Sequence, residues 1–361
     1  MAGSTAYARS RDRVGRICAD DADLESSALR RKLLDEIRRV VPFDYFAWLL
    51  TDPETSVGSA PFADVPCLPD LPRLIRLKYV TEVNRWTTLA PAPVALLQLA
   101  TRGEPSRSLL WRDLLHGYGV GDVASVVFTD RFGCWGFLDL WRPATVAPFD
   151  ENDAAYLTHI AGPVTSALRR SQASTFALSS AGAPRQPGPV VLLLSSDLEV
   201  VGQTPETEAY LRTLVPPAES RAPIPASAYN VAAQLLAVEA DVDRNPPSAR
   251  VHLAGGLWVT LRATRIGSRT DRTDRSERDI AVTIEETSPP ERTDLFARVF
   301  GLSARESELL GHLVSGCDTQ ELTRRMFLSE HTVQDHLKSI FAKTSTRTRR
   351  TLVSRALGAS T

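Results

Sequence analysis

Apolar residues in the last sixty positions recur at the spacing of amphipathic helices. Three runs show this spacing, with apolar positions at Leu309, Leu310, Leu313 and Val314, then at Leu322 and Met326, then at Val333, Leu337, Ile340 and Phe341. Residues three and four apart share one face of a helix, so each run predicts a helix with one buried stripe. The pattern therefore predicts a small all-α domain at this end of the chain.

Capping residues divide these runs into separate helices. Ser303 with Glu306 forms an S-x-x-E capping box, in which each side chain satisfies an unpaired N–H of the first turn. Gly316 suits a left-handed helix end. Asp318 and Ser329 are the expected N-caps of the second and third helices.

Helical and strand patterns alternate upstream, over 20–170. Helical stripes fall near 29–41, 71–83 and 111–117, strand patterns at 45–50, 123–128 and 133–141, and a last helix follows Asp150. Helices flanking an antiparallel sheet predict an α+β domain. The first sixteen residues lack an apolar stripe, and we expect a frayed or disordered start.

A second α+β pattern covers 190–286. Two strands joined by a tight turn at Ser196-Asp197 precede a helix near Thr204. Three further strands follow at 249–253, 258–265 and 280–285, the first two joined by a Gly255-Gly256 hairpin.

Three segments punctuate these domains. The Ser-, Ala-, Gly- and Pro-rich 171–189 has a linker composition. The polar 267–279 is expected to be a flexible surface loop. A break at 287–294 leaves the helical domain at 295–361. The predicted fold class is thus multidomain, with two α+β domains and an all-α C-terminal domain.

Composition narrows the class of protein. With 43% hydrophobic and 24% charged residues, the 361-residue chain has enough apolar content for several cores. No apolar run approaches the length of a membrane span, and the N-terminus does not read as a secretory signal, so we expect a cytoplasmic protein without membrane contact. The four cysteines are far apart in sequence, which argues for reduced thiols and against a zinc site or disulfides. We expect no metal and no cofactor.

Positive charge is concentrated at the C-terminal end. Residues 322–361 hold eight basic and two acidic side chains, a net charge of +6, whereas the whole chain has a net charge of −1. Such local basic charge is typical of a surface that meets phosphate. Double-stranded DNA is the partner that this pattern favours.

The third helix and the basic residues after it supply the candidate DNA contacts. Gln334 can bond adenine and Lys338 can bond guanine, while the first turn suits a phosphate. His336 either contacts phosphate or serves in packing and capping, and Asp335 is expected to be solvated. The predicted DNA-binding set is Ser329, His331, Thr332, Val333, Gln334, His336, Lys338, Lys343, Arg347 and Arg349.

This end of the chain resembles the LuxR-type (GerE-like) helix-turn-helix. The matching residues are Leu302, Arg305, Glu306, Leu310, Gly316, Glu321, Leu322, Ser329, Thr332, Val333, His336, Leu337, Ile340 and Lys343. The resemblance implies a four-helix domain, with a recognition helix over 329–344 in the major groove and a fourth helix over about 347–357 that often forms a dimer contact. Three features depart from the family pattern: Gln334 replaces a common lysine, Thr344 an apolar residue, and Ser345-Thr346 a Gly-Val type turn.

The upstream domains resemble sensor folds. The segments FTDRFGCWGFLDLWR and PFDENDAAYLTHIAGPV, at 128–142 and 148–164, resemble a GAF domain, and 190–286 resembles a divergent PAS domain. The GAF resemblance implies a ligand or interaction pocket on one face of the sheet. Aromatic residues in 20–170 either line such a pocket or fill a core. The candidate pocket residues are Trp86, Trp111, Trp135, Phe137 and Trp141.

Enzyme motifs do not account for the chain. It contains no G-x-S-x-G, no H-E-x-x-H and no phosphate-loop lysine motif, and we expect no catalysis. The sequence predicts a homodimeric transcription regulator that binds DNA and senses a small molecule of unknown identity, with RNA polymerase as a further candidate partner. The alternative is an interaction scaffold whose helical module docks a protein; the salt dependence of DNA binding separates the two.

Overall fold

The computed structural model describes residues 2–20, 25–89, 92–177, 190–214, 225–253, 257–267 and 278–358. Contacts divide the chain into two compact units. The first unit holds Met1–Leu168, Gln186–Val251 and Thr260–Glu285. The second holds Arg169–Arg185, His252–Val259 and Glu286–Thr361. We refer to them as the sheet unit and the helical unit.

The first part of the sheet unit combines helices with one five-stranded sheet. Its helices are α1 (Ala2–Asp20), α2 (Ser26–Arg38), α3 (Leu71–Val80), α4 (Leu97–Ala100), α5 (Leu109–Asp113) and α6 (Glu151–Thr175), the last of which runs past the boundary between units. Its strands are β1 (Tyr45–Thr51), β2 (Gly58–Asp64), β3 (Val94–Leu96), β4 (Val120–Asp130) and β5 (Gly133–Pro143). Short 3-10 turns lie at Leu68–Asp70, Trp86–Thr88, Pro105–Arg107 and Leu115–Tyr118.

The strands of this sheet run antiparallel in the order β2-β1-β5-β4-β3. The hairpin of β4 and β5 places Phe137 opposite Val127, and Phe137 also pairs with Leu49 on β1. Val126, Leu138 and Leu140 are buried. The long, apolar β5 therefore lies at the centre of the sheet, between β1 and β4.

A second five-stranded sheet is built from β6 (Val190–Leu194), β7 (Val200–Gln203), β8 (Ser248–His252), β9 (Trp258–Arg265) and β10 (Ile280–Glu286). Its order is β7-β6-β10-β9-β8, so both sheets follow the same sequence of second, first, fifth, fourth and third strand. Helices α7 (Pro205–Leu214) and α8 (Ala226–Glu239) lie between β7 and β8 in sequence. Helix α8 is largely buried and packs against α3 and β2.

Buried ion pairs connect distant segments within the sheet unit. The guanidinium of Arg85 is fully buried, bonds Asp243, and donates to Gln234 Oε1 of α8 at 3.3 Å. Arg250 donates to both carboxylate oxygens of Asp52, each at 2.8 Å. The two sheets are thus held in one unit by packing and by charge.

The helical unit contains α9 (Pro289–Val299), α10 (Ala304–Val314), α11 (Thr319–Met326), α12 (Glu330–Thr344) and α13 (Arg349–Leu357). Helix α13 packs against α9 and α10, and α12 packs against α10 and α11. Phe176 stacks on Trp258 and meets the edge of Phe296, with 5.4 Å between ring centroids in each pair. Short segments from earlier in the chain therefore complete the core of this unit.

The predicted fold class is confirmed at the level of two antiparallel sheet regions and a helical C-terminal region. Most predicted strands and helices are present, and the caps at Asp150, Ser303, Asp318 and Ser329 are confirmed. Among the described residues, no helix is long and apolar enough to cross a membrane.

One local prediction was wrong. The N-terminal residues form α1, in which Val14, Cys18 and Ser10 are buried and Ser10 bonds Glu36 of α2 and Tyr156 of α6. Helix α9 begins within the break expected at 287–294, where Ser288 and Glu291 form a capping box and Pro289 occupies the first turn.

The predicted linker and loops are only partly described. Helix α6 continues to Thr175, so the first five positions of the 171–189 segment are helical. The rest of that segment from 178, the Gly255-Gly256 hairpin and 268–277 of the polar loop lie outside the described residues.

Candidate nucleic-acid interface

Helix α12 is fixed in the helical unit by its cap and its buried stripe. Ser329 Oγ accepts a hydrogen bond from the Thr332 N–H at 3.1 Å and closes the first turn. Val333, Leu337 and Ile340 are buried at the predicted spacing. Because these contacts lock one side of the helix, the opposite side faces solvent with defined geometry.

The end of α12 explains one departure from the family pattern. Thr344 is buried, and its hydroxyl donates to Ile340 O at 2.8 Å and lies 2.8 Å from the Thr346 hydroxyl. Ser345 turns the chain in the left-handed conformation, with φ of 51°. Two threonines thus satisfy each other where an apolar residue is usual.

Charged residues one turn apart mark the exposed face of α12. His331, Asp335 and Lys338 keep 85%, 54% and 74% of their side chains accessible. The Asp335 carboxylate lies 3.5 Å from His331 Nε2 and 3.3 Å from Lys338 Nζ. Asp335 is therefore solvent-accessible and bridges two predicted DNA contacts. Gln334 and His336, which flank it, are half-buried.

Glu306 joins α10 to α12 through a buried carboxylate. It accepts from the Ser303 N–H, the Ser339 hydroxyl and the Lys343 ammonium, each at 2.6 Å. Burial alone would raise the pKa of Glu306, but the bonds from Lys343 and Ser339 outweigh it and lower this pKa to about 2. Lys343 is exposed but paired with Glu306, so its predicted DNA contact would have to share the ammonium with that carboxylate.

The remaining predicted DNA-binding residues differ in how far their side chains are exposed to solvent. Arg347 is exposed and Arg349 is half-buried at the start of α13, while the Thr332 hydroxyl is 2.8 Å from that of Ser329 within the cap. Val333 is fully buried, which corrects its place in the DNA-binding set: its side chain belongs to the core.

Sequence reasoning missed Phe327, the residue between α11 and α12. It is 93% exposed and adopts the left-handed conformation, with φ of 55°. The apolar pair Phe327-Leu328 does not by itself distinguish the exposed phenylalanine from the half-buried leucine. The C-capping position after Met326, where glycine or asparagine is usual, was the available signal.

The candidate pocket aromatics fall into two groups. Phe137 and Trp141 line a cavity of about 270 Å³ on the first sheet. Trp86, Trp111 and Trp135 lie outside its lining: Trp86 stacks on Phe137 with centroids 4.4 Å apart. Each of the three donates its indole N–H within the protein, to Ser56 O, Val120 O and Asp130 Oδ1 respectively.

Residues 301–356 match the family described as bacterial regulatory proteins, luxR family. This segment, which contains α10 to α12 and all but the last residue of α13, is a LuxR-type helix-turn-helix domain. The match covers the part of the helical unit that bears the exposed face of α12, and the sequence prediction for this domain is confirmed.

Two of the solved structures to which the chain shows similarity are structures of VqmA. One is a structure of the dimer of Vibrio cholerae VqmA, a LuxR-type receptor, in the absence of target DNA. It shares 16% identity with this chain, and the match covers 48% of this chain and 83% of that chain with a TM-score of 0.20. VqmA bound to DPO shares 15% identity, covering 46% and 85%, with a TM-score of 0.18. At these scores the similarity supports no structural argument. No curated protein matches the chain.

Proposed function

We propose that this chain is a DNA-binding transcriptional regulator in which the sheet unit controls the LuxR-type helix-turn-helix. The observation that carries the proposal is the exposed face of α12, where His331, Asp335 and Lys338 lie on a capped helix of a luxR-family domain. The net charge of +6 over 322–361 supports phosphate contact. Working on DNA implies a cytoplasmic location.

Sensor control remains part of the proposal. The GAF-like and PAS-like interpretations of 20–170 and 190–286, with 171–189 between them and the DNA-binding domain at 295–361, are supported by two sheets of the same strand order and by the cavity on the first one. A homodimer is proposed from the resemblance of α13 to the dimer-forming fourth helix. RNA polymerase is a further partner to test.

The salt dependence of binding tests the DNA proposal with the full chain. DNA fragments enriched from genomic DNA would be titrated at several salt concentrations. About five phosphate contacts predict a slope of log affinity against log salt near −4 to −5. A flat slope would instead favour the protein-docking scaffold. Sedimentation in the same buffers measures whether the chain is a dimer with and without DNA.

Control by the sheet unit needs a separate test. Arg85→Met/Asp243→Leu removes the buried Arg85–Asp243 pair, far in sequence from α12, without leaving an unpaired charge, and leaves the exposed residues of α12 unchanged. Upstream control predicts a change in DNA affinity or oligomeric state for this variant. An unchanged affinity and an unchanged sedimentation profile would contradict control while leaving DNA binding intact.

A further inference from the structure

The cavity on the first sheet is bounded by two parts of the sheet unit that are far apart in sequence. Its floor includes Leu49 of β1 and Phe137 of β5, and Ile75 of α3 forms one side. Ala226 and Asn230 of α8 complete the wall. Its volume, about 270 Å³, is just below the range of roughly 300–1,000 Å³ usual for small-molecule sites.

One ion pair supplies the polar anchor in this mainly apolar lining. Lys78 and Asp139 both line the cavity, and Lys78 Nζ lies 2.7 Å from Asp139 Oδ2. The Ser125 hydroxyl donates to the other carboxylate oxygen at 2.7 Å. The side chains of Lys78 and Asp139 are only 10% and 5% exposed, so the pair is fixed in a low-dielectric setting.

The hydrogen bonds of Lys78 leave one donor for a bound molecule. An ammonium has three N–H groups. One meets Asp139, and a second is 3.5 Å from Asn84 O. The third has no nitrogen or oxygen acceptor among the described residues and faces only the rings of Trp86 and Phe137, with their centroids 5.9 and 5.8 Å from Nζ. A guest that accepts this hydrogen bond would complete the coordination of the ammonium.

The same pair sets the charge of the guest. Asp139 already neutralises Lys78, so a bound anion would add an uncompensated charge beside a buried carboxylate, which is costly. A bound cation would meet the Lys78 ammonium. A neutral guest avoids both costs and buries its apolar body against the lining.

We propose that this cavity binds a neutral, mainly apolar molecule that accepts one hydrogen bond from Lys78, and that α8 forms part of the site. The role of this molecule as a signal rests on the proposed function. Its binding to the cavity does not, because that binding is measured directly. Neither Lys78 nor α8 was indicated by the sequence pattern.

The position of α8 gives the guest a route to the second sheet region. Arg85 follows α3 and bonds Gln234, one turn beyond Asn230 on α8, as well as Asp243 beyond its end. Asn230 itself is held by a bond from its Nδ2 to Ala226 O at 2.9 Å. A guest touching Asn230 therefore contacts the helix that connects the two sheet regions.

Three matched probes test the guest's chemistry by calorimetry on the full chain. Acetophenone is neutral and has one acceptor, ethylbenzene lacks the acceptor, and benzoate carries a negative charge. We expect acetophenone to bind roughly tenfold more tightly than ethylbenzene, because a hydrogen bond from a charged donor is retained. Benzoate is expected to bind at least about tenfold more weakly than acetophenone. Equal affinities, tighter benzoate, or no acetophenone binding would overturn the proposal.

Variants locate the site. The neutral double variant Lys78→Met/Asp139→Asn should abolish the preference for acetophenone over ethylbenzene. Arg76→Met/Asp197→Asn, which removes an exposed pair involving the same helix α3, should keep it. Ala47→Leu should fill the cavity and weaken both probes, whereas Ala95→Leu on β3 should not. Circular dichroism of each variant checks folding. The assignment would be overturned if the controls Arg76→Met/Asp197→Asn and Ala95→Leu lost probe selectivity and probe affinity as the cavity variants do.

DNA titration on the same samples separates the two proposals. If DNA binding is normal but the three probes do not bind in the predicted order of affinity, only the proposed ligand of the cavity is rejected. Normal probe binding without salt-dependent DNA binding would reject the proposed function alone.

Discussion

A single carboxylate, Glu306, fixes the position of α12 against α10. Its pKa is lowered to about 2 from 4.5 because the charged form accepts bonds from Lys343 and Ser339. A carboxylate whose pKa is lower in the folded protein stabilises the fold above its unfolded pKa. This stabilisation decreases as pH falls from about 4.5 to about 2.

Glu306→Gln should therefore lower the free energy of unfolding of the helical unit at neutral pH by about 1–3 kcal/mol. It should also flatten the pH dependence of stability between about pH 4.5 and 2. Urea unfolding at several pH values measures both effects. Glu308→Gln, an exposed carboxylate that bonds Arg305 on the same helix, is the control. The same pH profile in Glu306→Gln and the native chain would refute the role of Glu306.

Lys338 on the exposed face of α12 tests base reading at the residue scale. If Lys338 bonds guanine, Lys338→Ala should weaken binding to the preferred sequence by about 1–3 kcal/mol and relax selectivity at one position. Competition titrations with single-base variants of the enriched site measure this. Lys32→Ala, an exposed lysine of α2 in the sheet unit, removes the same charge and should bind normally. A uniform loss across sequences would make Lys338 a phosphate contact instead.

At the scale of elements, the turn between α11 and α12 combines an exposed aromatic side chain with a left-handed backbone. Phe327 has φ of 55° and is 93% exposed, so its side chain gains little from burial while its backbone is strained. Asparagine tolerates this conformation better.

Phe327→Asn should raise the free energy of unfolding of the helical unit by about 0.5–1 kcal/mol. Thermal unfolding measures the change, and DNA titration shows whether the phenylalanine serves binding. Ser345→Asn is the control for the backbone effect, since Ser345 is the other described non-glycine residue of the helical unit with a left-handed backbone and already has a short polar side chain. A loss of stability in Phe327→Asn would show that the aromatic ring packs in solution.

At the scale of the whole molecule, buried charge pairs hold the two sheet regions in one unit. Arg85→Met leaves Asp243 buried without its partner and should destabilise the sheet unit by about 3–5 kcal/mol. Arg85→Met/Asp243→Leu should recover most of that stability, because neither charge remains. Denaturant unfolding of the full chain measures both variants. A double variant as unstable as the single one would show that the loss comes from packing and not from the unpaired charge.

Local signals predicted the helical domain well and the sheet unit less completely. Ser303, Asp318 and Ser329 act through bonds to residues three positions away, so their caps are visible in sequence. The short β3 and the half-exposed β2 lack a clear alternating pattern and were not predicted. Helix α1 was missed because its burial depends on α2 and α6, as in the contact of Ser10 with Glu36 and Tyr156.

The sequence by itself determined the LuxR-type domain, the bounds and cap of its third helix and its local positive charge, because periodicity, capping and charge are properties of neighbouring residues. Only the tertiary structure decided that Lys343 is paired with Glu306, and that Lys78 and Asp139 meet in a cavity walled by α8. Those outcomes depend on which distant segments pack together. Burial then sets the energy of each charge, and so decides which side chains remain available to a partner.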